Sequence, residues 1–346
     1  MSKKAVSFSV AAYNIEKTIN ECLDSMLSTD HVSDIEILVI DDGSSDKTAE
    51  TAGEYADRYP DTVRLISKEN GGHGSTINTG IKEAKGKYFR AVDGDDWINP
   101  DTINEYVKRL KTEEADIVLC NYESFFEKGR TKRTCYQNLK DNERLSFEAV
   151  VKKVDWMNYH SVTYKTELLK KNNISLDEHC FYVDTEFMAF PIPYTETVAY
   201  YDLDVYCYRR DNEGQSICEE SRKRNIDQSK KVLLRLLKFM KDNGDKLSTE
   251  KKRYLQRGIA GHCVWHFRGL TFFAPDREKH RELVRFESFV KRKLPEVYRL
   301  MTVPASNKSE GDVKIVRHLR QFNYTTYDLY GYYRICKGKV KKIINR

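Results

Sequence analysis

Short aliphatic runs alternate with stretches of helical spacing through the first 121 residues, and that alternation leaves few folds open. Residues 6–12 form one run, after which Ile15, Ile19, Cys22, Leu23, Met26 and Leu27 mark one face of a helix. Residues 35–40 are continuously aliphatic, as a strand covered on both faces requires. A helix is expected over 46–59 with Ser45 or Asp46 as its cap, then a strand over 63–67, a Gly-rich loop and a helix to about residue 84. A strand over 87–92, a helix from about residue 101 and a strand over 116–120 complete the series. Strands joined by helical crossovers predict an α/β fold, a mostly parallel sheet flanked by helices.

Beyond this region the pattern changes. Residues 122–145 are polar and read as an excursion or hairpin, while 146–221 mix short helices and strands, with strands expected over 198–201 and 205–208. From about residue 225 the spacing is helical, carried first by Val232, Leu233, Leu236, Leu237 and Met240. Two domains are therefore expected, 1–221 and a helical C-terminal region at 222–346, the first dividing into parts at 1–121 and 122–221. A chain of 346 residues has room for both.

Composition excludes several classes. Mean hydropathy is −0.68, and no run of about 18 apolar residues could span a bilayer. The opening MSKKAVSFSV passes straight into a strand-like run with no secretory h-region, so a cytoplasmic protein is expected. Eight cysteines without a CxxC pair then read as buried thiols. The net charge of +6 is accounted for by Arg334, Lys337, Lys339, Lys341, Lys342 and Arg346, so residues 1–333 are balanced and offer no nucleic-acid-binding face.

The expected strands end in unusual polar groups: Ala12-Tyr13-Asn14, Asp41-Asp42-Gly43-Ser44, Glu69-Asn70-Gly71-Gly72 and Asp93-Gly94-Asp95-Asp96-Trp97. Open parallel sheets bind ligands at the carboxyl ends of their strands. Carboxylates gathered there repel one another unless a cation or ligand donors sit among them. The Asp93-x-Asp95 spacing suits Mg²⁺ or Mn²⁺ holding phosphate oxygens.

Four segments, SFSVAAYN, ILVIDDGSSDKT, NGGHGSTINTGIKEAKGKYF and VDGDDW, together resemble the family 2 glycosyltransferases, inverting enzymes of the GT-A fold. The likeness is good over residues 4–121 and weaker beyond. It implies an inverting transfer of a sugar from a nucleotide-sugar donor, with UDP-sugars foremost, to a glycan or lipid-linked acceptor in bacterial surface-polysaccharide synthesis. Carried over, it places Ala12 and Tyr13 at the nucleotide base, with Asp41 or Asp42 accepting a hydrogen bond from it. Asn70 and Gly71 let the backbone approach the nucleotide, Asp93 lies near the ribose and metal, and Asp95 is the principal ligand of a divalent cation. The acceptor hydroxyl needs a carboxylate base. In FYVDTEF that base is Asp184, with Val183 where the family often has Glu and with Glu186 as the alternative. Arg209 and Arg210 in YCYRRDNEGQSI are donor-diphosphate contacts by the same likeness. Ile77 departs from the Arg common in related sequences, and His73 is an unusual loop residue aimed at phosphate or acceptor. An inactive GT-A scaffold subunit and a nucleotidyltransferase-like binder are the competing classes.

Two further features need weighing. His262 and His266 form an HxxxH pair, but HCVWH lacks the Glu of a metalloprotease and any third ligand, so packing is expected. Tyr324, Tyr327, Tyr330, Tyr332 and Tyr333 precede the six terminal cations, a pattern that predicts peripheral contact with anionic membrane.

Overall fold

β1 (Val6–Ala12) pairs in parallel with β2 (Ile35–Asp41) on one side and β4 (Tyr88–Asp93) on the other, and β2 pairs in parallel with β3 (Val63–Ser67). The computed structural model describes residues 4–126, 129–210, 219–305 and 308–333. Every residue of β2 is buried, which is why its run is aliphatic without alternation. Helices α1 (Ile19–Leu27), α2 (Thr48–Arg58) and α3 (His73–Glu83) make the crossovers. The cap of α2 differs from expectation, since its N-cap position is Lys47. Asp46 lies one residue earlier, its Oδ1 accepting from Thr48 N (3.0 Å) and its Oδ2 from Glu16 N (3.1 Å), so it ties the helix start to the end of β1.

After the two-residue β5 (Trp97–Ile98) and α4 (Ile103–Thr112), β6 (Ile117–Phe126) turns back as β7 (Arg130–Thr134), the expected hairpin. β8 (Glu143–Ser146), α5 (Phe147–Lys153), β9 (Val162–Lys165), α6 (Thr166–Lys171) and α7 (Asp184–Ala189) precede β10 (Thr197–Arg209). The two strands expected at 198–201 and 205–208 are one strand with register shifts between them. The order across the sheet is β3-β2-β1-β4-β9-β6-β10-β5. β9 lies antiparallel between β4 and β6, and β10 runs parallel to β6 but antiparallel to β5 and β8. The parallel core is as expected, and the later strands make the whole sheet mixed.

The chain forms two compact units, residues 1–213 and 214–346. In the second unit, α8 (Glu219–Arg224), α9 (Ile226–Asn243), α10 (Thr249–Thr271), α11 (Arg277–Lys293), α12 (Pro295–Leu300) and α13 (Glu310–Gln321) form a helical bundle around α10. Glu287 anchors it from within, accepting from Arg320 Nε (2.8 Å) and Tyr324 Oη (3.0 Å). His262 Nε2 meets the Ser229 carbonyl at 2.7 Å, and His266 packs edge-on against Phe286, so both histidines belong to the packing. Among the described residues six cysteines are free thiols, and Cys218 and Cys336 lie outside them. No described helix is long and apolar enough to cross a membrane.

Candidate active site

Parallel pairing sets Ala12 beside Asp41 and Ala11 beside Asp93, so three strand ends meet at one edge. Tyr13 projects there half exposed. The two acids ending β2 have different employment. Asp42 is buried and braces the Gly-rich loop, accepting from Gly71 N (2.9 Å), Gly72 N (2.7 Å), Lys68 Nζ (2.7 Å) and Ser75 Oγ (3.2 Å). Asn70 Nδ2 donates to its backbone carbonyl at 3.0 Å. The Asp41 carboxylate accepts only from Ser44 N (3.2 Å) among the described residues. Two glycines shape the loop: Gly72 has φ +80°, and a Cβ on Gly74 would lie 2.0 Å from the Asp177 carbonyl oxygen. That contact seats residues 176–180 against the start of α3, where Asn78 also bonds Leu176 in both directions.

The acid loop after β4 is held from β10. Tyr206 Oη donates to Asp96 Oδ2 (2.6 Å) and accepts from Asp93 N (3.1 Å). Asp96 Oδ1 accepts from Arg209 N (2.7 Å), and Arg209 Nε donates to the Asp95 carbonyl (2.8 Å). The Arg209 guanidinium also bonds Glu21 and lies 4.7 Å from the Trp97 ring centre. It is therefore engaged within the protein, beneath the loop, whereas Arg210 rests on the rings of Tyr208 and Phe126. Burial, then the charges of Asp93 and Asp95, push Asp96 well above the usual carboxylate range.

His73, the first residue of α3, bonds Asp93 Oδ1 at 2.9 Å, and Tyr159 Oη lies 3.3 Å from the same oxygen. Burial alone would raise the Asp93 carboxyl, but His73 by charge and hydrogen bond holds it below its ordinary value. The His73 imidazole is in turn raised against burial by Asp93, then by Asp184 and Asp95. Asp93 meets this histidine directly, and the charges of Asp184 and Asp95 act on it in the same direction. The two candidate bases also part company. Asp184 is exposed at the start of α7, while Glu186 is wholly buried with its Oε2 accepting from Asp177 N (2.8 Å).

Asp96, His73, Tyr159, His160 and Tyr206 complete a constellation that sequence reasoning found only in part. Asp93, Asp96 and His160 offer ligand atoms within 4.8 Å of one another. Burial pushes the His160 imidazole down to about 4, leaving it neutral at physiological pH. Its place is fixed by Arg90, a fully buried residue of β4 that donates to the His160 carbonyl and to Thr163 Oγ1. No local motif marks Tyr159, His160 or Tyr206, because pairing across β9 and β10 brings them in. Among the five tyrosines ahead of the tail, Tyr324, Tyr327 and Tyr330 are engaged inside the helical unit, bonding Glu287, the Leu270 carbonyl and Arg268. Tyr332 and Tyr333 are exposed, and the six terminal cations lie outside the described residues.

Comparison with known proteins agrees with this geometry. The chain is 32 % identical over 219 residues to a putative glycosyltransferase, EpsH, of Bacillus subtilis, a match spanning 60 % of this chain and 62 % of that relative. The structure of S. aureus TarS 1–349 in complex with UDP-GlcNAc superposes with a TM-score of 0.64 at 20 % identity, covering 93 % of this chain and 90 % of that one. A mannosyltransferase from Pyrobaculum calidifontis, in complex with GDP-Man and Mn²⁺, has a TM-score of 0.52 at 16 % identity, covering 93 % and 90 %. These likenesses establish the GT-A fold. Residues 7–181, half of the chain, match the family described as Glycosyl transferase family 2, and the protein belongs to that family.

Proposed function

We propose that this chain is an inverting glycosyltransferase that moves a hexosyl or N-acetylhexosaminyl group from a nucleotide sugar, foremost a UDP-sugar, to a glycan or lipid-linked glycan. The observation that carries this reading is the gathering of Asp41, the Asp42-braced Gly71–Gly72 loop and the Asp93–His73 pair at the carboxyl ends of the parallel strands. Ala12 and Tyr13 receive the base, and Asp41 accepts its hydrogen bond because the Asp42 carboxylate is taken up in bracing the loop. That brace presents the Asn70–Gly71 backbone to the nucleotide.

Asp93 and Asp95 fit a divalent cation, since three carboxylates crowd four residues and Asp96 is buried and saturated by Tyr206 and Arg209. A divalent cation held by Asp93 and Asp95 would supply screening of the leaving diphosphate's charge. Asp184 takes the proton of the acceptor hydroxyl, and Glu186 braces the 177–180 loop. Arg209 serves the donor indirectly, by holding Asp95. The tail at 334–346 brings the enzyme to anionic membrane at the cytoplasmic face, a reading supported by its charge alone. Sedimentation with anionic liposomes, with and without those residues, tests the tail.

Incubation with a panel of nucleotide sugars, Mn²⁺ and acceptor extracts tests the main reading. The expected result is release of a nucleoside diphosphate from one donor class. Binding of donor without release under every acceptor condition would favour a scaffold subunit, and release of pyrophosphate a nucleotidyltransferase.

A further inference from the structure

His160 belongs to the acid cluster by position but has no part in the carboxylate chemistry. β9 runs antiparallel to β4 and β6, so the turn that enters it, Tyr159–Ser161, lies beside their carboxyl ends. That placement sets a ring nitrogen of His160 within 4.8 Å of carboxylate oxygens of Asp93 and Asp96.

The imidazole is held from several sides. It stacks on Tyr208, with 4.1 Å between ring centres and 23° between planes, and it meets Tyr206 (4.9 Å) and the edge of Tyr159 (5.3 Å). Its backbone is held as firmly. Arg90 is fully buried between the rings of Tyr106 and Tyr206, each 5.6 Å away. One arm of its guanidinium donates to the His160 carbonyl and the other to Thr163 Oγ1 (2.8 Å). A buried charge is costly, and here its hydrogen bonds go to placing one histidine.

His73 and His160 stand in different relations to Asp93. His73 (2.9 Å) and Tyr159 (3.3 Å) both bond Oδ1, and Oδ2 takes neither bond. His160 is neutral, and among the described residues no hydrogen bond reaches its ring nitrogens. A neutral imidazole does not offset the charge of the acids; it adds a nitrogen lone pair to their oxygens. Ligands on opposite sides of one cation stand about 4 Å apart, twice the usual metal–ligand distance, and the observed spacing is close to that. Both Asp96 oxygens are occupied by Tyr206 and Arg209, which leaves Asp93 and His160 as the free members of the trio.

We propose that His160 is a nitrogen ligand of the divalent cation, completing with Asp93 and Asp95 a mixed set that favours Mn²⁺ over Mg²⁺. The presence of a cation rests on the transferase reading above; the identity of its third ligand is read from the geometry. Mg²⁺ is held by oxygen, so a nitrogen in the set selects against it.

Pulsed electron paramagnetic resonance of Mn²⁺ with UDP, on the full chain carrying ¹⁵N-labelled histidine, tests this without any variant. The expected result is a ¹⁵N coupling to the metal. His160→Phe, which keeps a ring for the Tyr208 stack, and His160→Gln should both abolish it. By calorimetry both should bind Mn²⁺ at least about 10-fold more weakly, since even outer partners of a ligand are worth that much. Their Mg²⁺ affinity should fall less. Mn²⁺ bound without a ¹⁵N coupling would overturn the proposal and leave the transferase reading standing. A coupling that survives His160→Phe would assign the nitrogen to another histidine, overturning it too. Equal loss of both metals with a lowered melting temperature would reduce His160 to packing. A wild type that binds neither Mn²⁺ nor UDP would count against the transferase reading itself, and the proposal would fall with it.

Discussion

The two edges of one sheet handle buried charge in opposite ways. At the amino edge, Glu36 of β2 is buried and fully matched: Oε1 accepts from Arg64 Nη1 (3.1 Å), and Oε2 from Lys85 N (2.8 Å) and Ser7 Oγ. Arg64 continues to Glu83 at 3.0 Å. At the carboxyl edge, at the end of β4 and in the loop after it, Asp93, Asp95 and Asp96 are concentrated until Asp96 is driven well above the carboxylate range. Matched charge holds strands in register. Crowded like charge costs stability and is retained where a ligand completes it. The difference separates scaffold from site without reference to any relative.

Asp95→Ala tests the crowded edge most severely. Metal-dependent transfer should be lost while the melting temperature holds or rises, because one repulsive charge has gone. Measured turnover that persists in the presence of a chelator would remove the cation from Asp95. Asp184→Asn should follow, lowering kcat by at least about 10²-fold with donor KM nearly unchanged, the scale of a lost general base. Glu186→Gln should instead keep most activity and lose stability, since Glu186 is buried against the Asp177 amide. Reversal of those two results would move the base two residues along the chain.

The matched edge should respond in the other currency. Glu36→Ala strands the Ser7 hydroxyl and the Lys85 amide, at a cost of about 2–3 kcal/mol. Urea unfolding should show that loss, and kcat of the folded fraction should stay within about 2-fold of wild type. A collapse of kcat at full stability would mean that the amino edge is coupled to the site.

These contrasts explain what was legible in the sequence. β1 to β4 each carry their own apolar run and end in their own polar group, so local pattern revealed both the strands and Asp41, Asp42, Asn70, Asp93 and Asp95. Adjacent acids at a strand end look alike, however, and only the fold shows Asp42 spent on the Gly71 and Gly72 amides. Tyr159, His160 and Tyr206 were illegible because β9 inserts between β4 and β6, a long-range pairing with no local signature. The partners of Arg209 were hidden for a related reason. A basic residue after a strand reads as free to meet a phosphate, and Glu21, far off in sequence, already occupies it.

The smallest effect comes from a group that could break the comparison. His266 is buried in α10, against Phe286, and its Nδ1 has no hydrogen-bond partner among the described residues. An unmatched polar atom therefore also occurs in the helical unit, away from any acid cluster, so a single one does not mark a site. Burial lowers this imidazole to about 3 from an ordinary 6.5. Between those values the unfolded chain takes up a proton that the folded chain refuses, so stability rises with pH across the window. The contribution is complete above pH 6.5 and falls by up to about 1.4 kcal/mol for each unit below it. His266→Leu removes the titration. Between pH 7 and pH 5 the variant should lose about 2 kcal/mol less stability than wild type, read from urea unfolding at the two values. Equal losses would mean that His266 finds a partner in acid. The unmatched atom would then be a proton-dependent contact, and the distinction between crowded charge and a lone buried donor would need that amendment.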